Sequence, residues 1–357
     1  MMRARSTNAS PPRAVGAAQL PPLLLPLLLC CAAGHAADGV RPLDPALTAY
    51  RPQAVAVAAD ASYLAPDGAV KINGAEHVQY IVERFNAQFS ATHPGVRFVV
   101  DGKGTTSAVP LLMHGKTLFG AMGRAINPIE AVPYRKIVGR DALEIRVART
   151  ADDTSGHLAT SLAVYVNRAN PLTQASAADV ARMLSIGNPG GDYSTWGQLG
   201  LKGDWAQRSI HPYGTPEYTG FGDYLQQEHL NKRTLAPLHE QASNTEAILQ
   251  RIGADPAGMG VAAIGMENPQ VRQLAIVGAD GRVTTGTAAE VSDGSYPYAR
   301  WLYFYVRRLP GQPVDPLVRE YLRLVLSRDG QAIIASQPKG YIPLTATQAA
   351  AELAKLD

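Results

Sequence analysis

Val96-Arg97-Phe98-Val99-Val100-Asp101 runs directly into Gly102-Lys103-Gly104-Thr105-Thr106-Ser107, and then into the apolar residues 108–113. The order reads as a strand, a glycine-bent turn loaded with hydroxyls, and a helix start. Such a turn aims several backbone N–H groups and hydroxyls at one point, where the helix dipole favours negative charge. A short way on, Phe119-Gly120-Ala121-Met122-Gly123-Arg124 adds a guanidinium, whose planar fork matches oxyanions. The same residues are also ordinary turn chemistry, so the run alone does not establish a site. Two nucleotide motifs are excluded. No Gly-Lys-Ser/Thr closes a Walker A loop, and Ser107 stands where Gly-x-Gly-x-x-Gly needs its last glycine.

The first 37 residues read as a secretory signal peptide. Arg3, Arg5 and Arg13 form a basic start, residues 23–29 are an apolar core broken by Pro26, and Gly34-His35-Ala36 supplies small residues for cleavage after Ala36 or Ala37. Leu29 before Cys30 is larger than a lipoprotein signal usually permits, so lipidation of Cys30 or Cys31 is not expected. Both of the chain's cysteines lie in this leader, so the mature chain is expected to be held by core burial rather than disulfides. About 320 residues then remain, enough for two lobes. Of 33 basic and 30 acidic residues, three basic ones belong to the leader, so the net charge of +3 is the leader's own. A neutral exported chain gives no support for nucleic-acid binding, and no second apolar run is long enough to span a bilayer.

Helical and strand-like segments alternate, which argues for an α/β protein. Residues 76–92 place Val78, Ile81, Val82, Phe85 and Phe89 on one helical face, ended by Pro94-Gly95. Asn127-Pro128-Ile129-Glu130 carries the N-cap, N1 proline and N3 glutamate of a helix start. Strands are expected at 96–101, 117–122, 143–149, 161–167, 209–214, 258–264, 273–277 and 301–306. Helices are expected at 176–186, after Gly220 and Asn244, and as one long helix over 315–336. The apolar strands at 161–167 and 301–306 each end at polar, proline-containing joints. They divide the chain into an outer pair of segments and one long insert, as in a two-lobed protein with paired crossovers. Periodicity equally allows two buried strands of one large sheet. The expected division is 40–165 plus 303–357 for one lobe and 166–302 for the other.

Gly102-Lys103-Gly104-Thr105-Thr106, Gly120-Ala121-Met122-Gly123-Arg124, Leu162-Ala163-Val164-Tyr165-Val166-Asn167 with Asn170-Pro171, and Thr195-Trp196-Gly197-Gln198-Leu199-Gly200 stand in this order. With Ile210-His211-Pro212-Tyr213-Gly214, Gly258-Met259-Gly260, the run 326–331 and Gly340-Tyr341-Ile342-Pro343-Leu344, the chain resembles the phosphate-binding periplasmic proteins of phosphate ABC transporters. The resemblance covers roughly residues 68–345. It implies a type II periplasmic-binding-protein fold, each lobe a mixed sheet flanked by helices, with ligand held in the interlobe cleft. It further implies a periplasmic monomer that delivers phosphate or a related tetrahedral oxyanion to permease subunits, with no cofactor or metal.

On that resemblance Ala75, Glu76, Thr105, Thr106, Ser107 and Arg124 would form the first lobe's side of the site, and Thr215, Thr219, Gly220 and Phe221 the second's. Two stretches depart from the family pattern. Thr215 stands where relatives carry arginine and Phe221 where they carry a second hydroxyl, while Gly74-Ala75-Glu76-His77 replaces a run of Ser and Thr. These changes leave room for a phosphorylated organic ligand. Glu76 and Glu217 are candidate acceptors for the proton of hydrogen phosphate. Against these roles, Glu76 also fits a dipole-favoured surface acid, Arg124 a structural ion pair, Glu217 a solvated turn acid and His77 a plain first-turn residue. Trp196, Trp205 and Trp301 fit packing roles.

Other functions on the same fold are an exported phosphate-responsive sensor or scaffold and a phosphate-ester hydrolase. Asp152, Ser155 and His157 lie close in sequence, but they read as a polar loop rather than a strained nucleophile turn. No His/Asp/Glu spacing points to a metal.

Overall fold

The structure, a computed structural model, describes residues 41–151, 158–337 and 340–357. The expected leader, residues 1–37, lies outside the described residues, as do Asp152, Ser155 and His157. The first half of the chain alternates strand and helix: β1 (Val70–Gly74), α1 (Gln79–Thr92), β2 (Phe98–Gly102), α2 (Thr105–Met113), β3 (Gly120–Met122), α3 (Pro128–Val138) and β4 (Leu143–Arg149). There follow β5 (Leu162–Asn167), β6 (Gln174–Ser176), α4 (Ala177–Leu184), β7 (His211–Gly214), α5 (Gly220–Glu228), β8 (Glu240–Gln241), α6 (Thr245–Ala254) and β9 (Gly258–Ala263). The last part holds β10 (Val271–Gln273), β11 (Ala275–Val277), β12 (Val283–Thr284), α7 (Ala288–Asp293), β13 (Trp301–Val306), α8 (Pro316–Val325), α9 (Arg328–Ala335) and α10 (Ala346–Leu353).

One five-stranded sheet runs β2-β1-β3-β13-β4, with β1, β2 and β3 parallel and β13 antiparallel to both neighbours. A second runs β10-β5-β9-β7-β8, and β12-β11-β6 form a small third sheet. Each large sheet has its own apolar core. Val78, Ile81, Val82, Phe85 and Phe89 pack α1 onto the first, together with Phe119, Phe304 and Tyr321. The second is filled by β5, which is buried along its whole length, with Val180, Leu184, Trp196, Ile248 and Ile252. β5 pairs only within the second sheet and β13 only within the first. The chain therefore changes sheet before Leu162 and again before Trp301.

Two sequence expectations need correction. The single helix over 315–336 is two helices, because Ser327 turns the chain. Its hydroxyl donates to the Leu324 carbonyl (2.6 Å) and accepts the Gly330 N–H (3.3 Å), capping α9. Gly330 is what permits the tight joint, since a Cβ there would lie 2.2 Å from the Leu324 oxygen. The strand over 273–277 is likewise broken. β10 and β11 flank Leu274 and belong to different sheets. A further helix, α10, was not expected from sequence; Thr345 caps it with a full capping box.

Candidate functional site

The carboxyl ends of parallel strands carry the helix starts in both large sheets, which is where open α/β sheets place ligands. In the first sheet β1 is followed by Ala75-Glu76-His77, β2 by the Gly102–Ser107 turn, and β3 by Gly123-Arg124. They converge closely. A Cβ on Gly74 would lie 2.2 Å from the Ala121 oxygen, so only glycine lets β1 and β3 meet there. A Cβ on Gly102 would lie 3.2 Å from the Glu76 Cα, and one on Gly123 2.5 Å from His77 Nε2. In the second sheet β7 leads through Thr215 to the start of α5. Gly220 at that start faces Arg124, whose Nε is 3.9 Å from where its Cβ would stand. Of the expected site residues, Gly220 of the second segment thus stands beside Arg124 of the first.

Arg124 does not enter that meeting as a bare cation. It is buried, with Nη1 donating to Glu130 Oε2 (2.7 Å) and Nη2 to Glu130 Oε1 (2.8 Å). Asp223 on α5 lies 3.5 Å from Nε, and the Asn127 amide donates to the same Asp223 oxygen (2.9 Å). Burial works against the charge, but Glu130 and Asp223 hold the guanidinium above the usual arginine pKa. The expected counter-charge therefore carries its own counter-ions. A cavity of about 280 Å³ opens beside it, lined by Arg124–Pro128 and by Asp223, Tyr224, Gln227, Glu228 and Lys232.

The remaining expected residues divide by what their polar groups already do. The Ala75 N–H donates to the Ala121 carbonyl (2.9 Å), so it is not available to a ligand. Glu76 is exposed at a short 3-10 turn preceding α1, which fits an outward acid better than an enclosed proton acceptor. Thr105 and Thr106 stand in the first turn of α2 and their hydroxyls bond no described residue, whereas Ser107 donates to the Gly104 carbonyl (2.8 Å). The Thr219 hydroxyl donates to Pro216 (2.7 Å) and accepts the Gly222 N–H (3.0 Å), capping α5. Gly220 and Phe221 then present first-turn N–H groups, which have no partner inside a helix. The Phe221 ring packs against the second core. Thr215 Oγ1 is buried without a hydrogen-bond partner. Glu217, a candidate acceptor for the phosphate proton, already accepts from Gln226 (2.7 Å).

Sequence reasoning missed Asp223, Tyr224 and Lys232 at the cleft, and gave no role to His77. Lys232 reaches it from a left-handed turn, with φ of 50° at Asn231 and 60° at Lys232. Burial, and then the charge of Arg300, push the His77 imidazole down to about 4. The tryptophans pack as expected, with Trp196 fully buried and edge-on to Trp205.

Helix starts from two separately cored sheets, facing each other over a buried arginine, define the two-lobed architecture of solute-binding proteins. The chain belongs to the PBP superfamily domain family, whose model matches residues 56–329. It is 27% identical over 328 residues to the phosphate-binding protein PstS of Pseudomonas aeruginosa, spanning 91% of this chain and 95% of that one. With PstS of Staphylococcus haemolyticus it shares 23% over 278 residues, 77% and 81% of the two chains. Among solved structures, PstS from Borrelia burgdorferi superposes with a TM-score of 0.55 at 15% identity, covering 77% of this chain and 98% of that one. An ABC-type phosphate transport receptor from Vibrio cholerae does so with a TM-score of 0.53 at 17% identity, covering 76% and 98%. The mixed α/β fold expected from sequence is the one these structures share.

Proposed function

We propose that this protein is an exported receptor that captures inorganic phosphate, or a related tetrahedral oxyanion, and hands it to the permease of an ABC transporter. The observation that carries this is that Gly220 at the start of α5 faces the buried Arg124, while Asn127 at the start of α3 bonds Asp223 of α5, so that helix starts from both sheets flank one cleft. The relatives' names point to the same ligand and the same transport role. We take the two large sheets as the lobes, with joints at 158–161 and 299–300 rather than inside β5 and β13. Thr105, Thr106, Gly220 and Phe221 supply neutral donors, and Thr215 a hydroxyl. Arg124 shields the anion from Glu130 and Asp223. The leader sends the chain to the periplasm, and among the described residues no helix is long and apolar enough to cross a membrane. Binding, with no turnover of the ligand, is its chemistry.

Titration calorimetry with phosphate, sulfate and a phosphate monoester tests this on wild type and Arg124→Ala. Wild type releases saturable heat with phosphate. Its melting temperature rises as well, since ligand at one hundred times Kd adds about 2.7 kcal/mol. Arg124→Ala binds at least tenfold more weakly, because it leaves two carboxylates facing the anion. Absence of heat from all three ligands would overturn the proposal, and turnover of the monoester would replace it with the hydrolase.

A further inference from the structure

The charges around the cavity do not favour an anion. Glu130, Asp223 and Glu228 stand against Arg124 and Lys232, and Arg124 is already tied to Glu130 and Asp223. A dianion placed there needs positive potential from elsewhere. Immediately behind the cavity wall lies Arg300, in the joint that leads from the second sheet into β13. Its guanidinium sits 5.2 Å from the ring centroid of Tyr224, which lines the cavity. Its Nε donates to the Thr160 carbonyl (2.7 Å), and its backbone is tied to Thr150 by the Thr150 N–H to the Arg300 carbonyl (3.0 Å). Arg300 is only 8% exposed, yet no carboxylate pairs with it among the described residues.

That is an unusual state for a buried charge. A buried ion without a partner costs several kcal/mol, so buried charges are nearly always paired. The groups that act on Arg300 are tyrosines (Tyr224, Tyr341 and Tyr303), and burial pushes its pKa below the ordinary arginine value. Burial first, and the charge of Arg300 second, lower the pKa of His77 and His229. His77 Nε2, buried and without a hydrogen-bond partner, faces Gly123 beside Arg124. Among the described residues no carboxylate cancels the charge of the guanidinium.

We infer that Arg300 is a specificity-determining residue of the anion site: its uncompensated charge, set behind Tyr224, selects a dianion, and the bound dianion serves as its counter-ion. The inference rests on the phosphate-receptor reading of the same cleft. It assigns the charge preference to the joint between the sheets instead of to Arg124, whose charge is spent on Glu130 and Asp223. Arg300 acts through space and through the Tyr224 ring, with no direct ligand contact required.

The test is calorimetry on Arg300→Gln and Arg300→Lys, with phosphate at pH values well above and well below its second ionisation. Wild type prefers the dianion. Arg300→Gln loses about 30-fold in affinity for it, the effect of one unit charge roughly 8 Å away at an effective dielectric of about 20, and loses the preference. Arg300→Lys restores both. A folded Arg300→Gln with wild-type affinity and preference overturns the inference while leaving the phosphate reading intact, whereas a wild type that binds no oxyanion defeats both. If Arg300→Gln does not fold, Arg300→Lys decides. In that variant, which keeps the charge, dianion binding still tighter than monoanion binding is expected if Arg300 supplies the preference, and loss of the preference overturns the inference.

Discussion

Arg124 and Glu130 meet in a two-pronged ion pair, and the same Glu130 closes the capping box of α3 by accepting the Asn127 N–H at 3.1 Å. One carboxylate thus ends the β3 turn, starts a helix and neutralises the cleft's own arginine. Glutamine at this position keeps the cap, because Gln also serves at N3, but removes the negative charge. Glu130→Gln is expected to lower stability by about 1 kcal/mol through the weakened pair. It should also tighten phosphate binding roughly tenfold through the released guanidinium. Denaturant unfolding and calorimetry should therefore move in opposite directions. A variant that loses both stability and affinity would show that Glu130 only positions Arg124.

Thr215 offers a separate check on the second lobe's side of the site. Its hydroxyl is buried without a partner, and such a group costs about 1–3 kcal/mol. Thr215→Val keeps the shape and removes the hydroxyl, so the ligand-free melting temperature should hold or rise. If the hydroxyl completes its hydrogen bonding on the anion, the rise produced by phosphate must shrink. An unchanged phosphate-induced shift in Thr215→Val would take this residue out of the site.

How far the sequence could be read depends on how local each determinant is. The α3 start was legible because Asn127, Pro128 and Glu130 act within a single turn. β4 was legible to the residue by its alternation, and β13 because its apolar run ends at polar joints. The break between α8 and α9 was hidden because Leu317, Tyr321, Leu324 and Val325 keep helical spacing right up to it, and only the Ser327 cap marks the turn. The candidate site was legible only where its signals are local. Helix starts with hydroxyls are local signals, and the structure sets Gly220 against Arg124. The partners of Arg124 were not legible, because Asp223 reaches the cleft through the packing of a distant helix, as does the Asn127–Asp223 bond. That no carboxylate among the described residues pairs with Arg300 is a tertiary property with no sequence signature.

His77 and His229 make the fold sensitive to mild acid in a direction that can be worked out. Burial first, and the charge of Arg300 second, push each imidazole down to about 4. His229 stacks on Tyr298 with ring centroids 4.3 Å apart, and its Nε2 lies 3.2 Å from the Tyr224 hydroxyl. In the unfolded chain both would titrate near 6.5. Between about 6.5 and about 4 the unfolded chain therefore binds more protons than the folded one, so stability falls as pH drops through that window. Above it the two histidines contribute no pH dependence. Across the window each accounts for at most about 3 kcal/mol. Urea unfolding at a series of pH values should give a His229→Gln variant whose stability declines less steeply with acid than wild type, by close to one proton in the linkage slope. Parallel profiles for the two proteins would show that His229 is not held neutral in the fold.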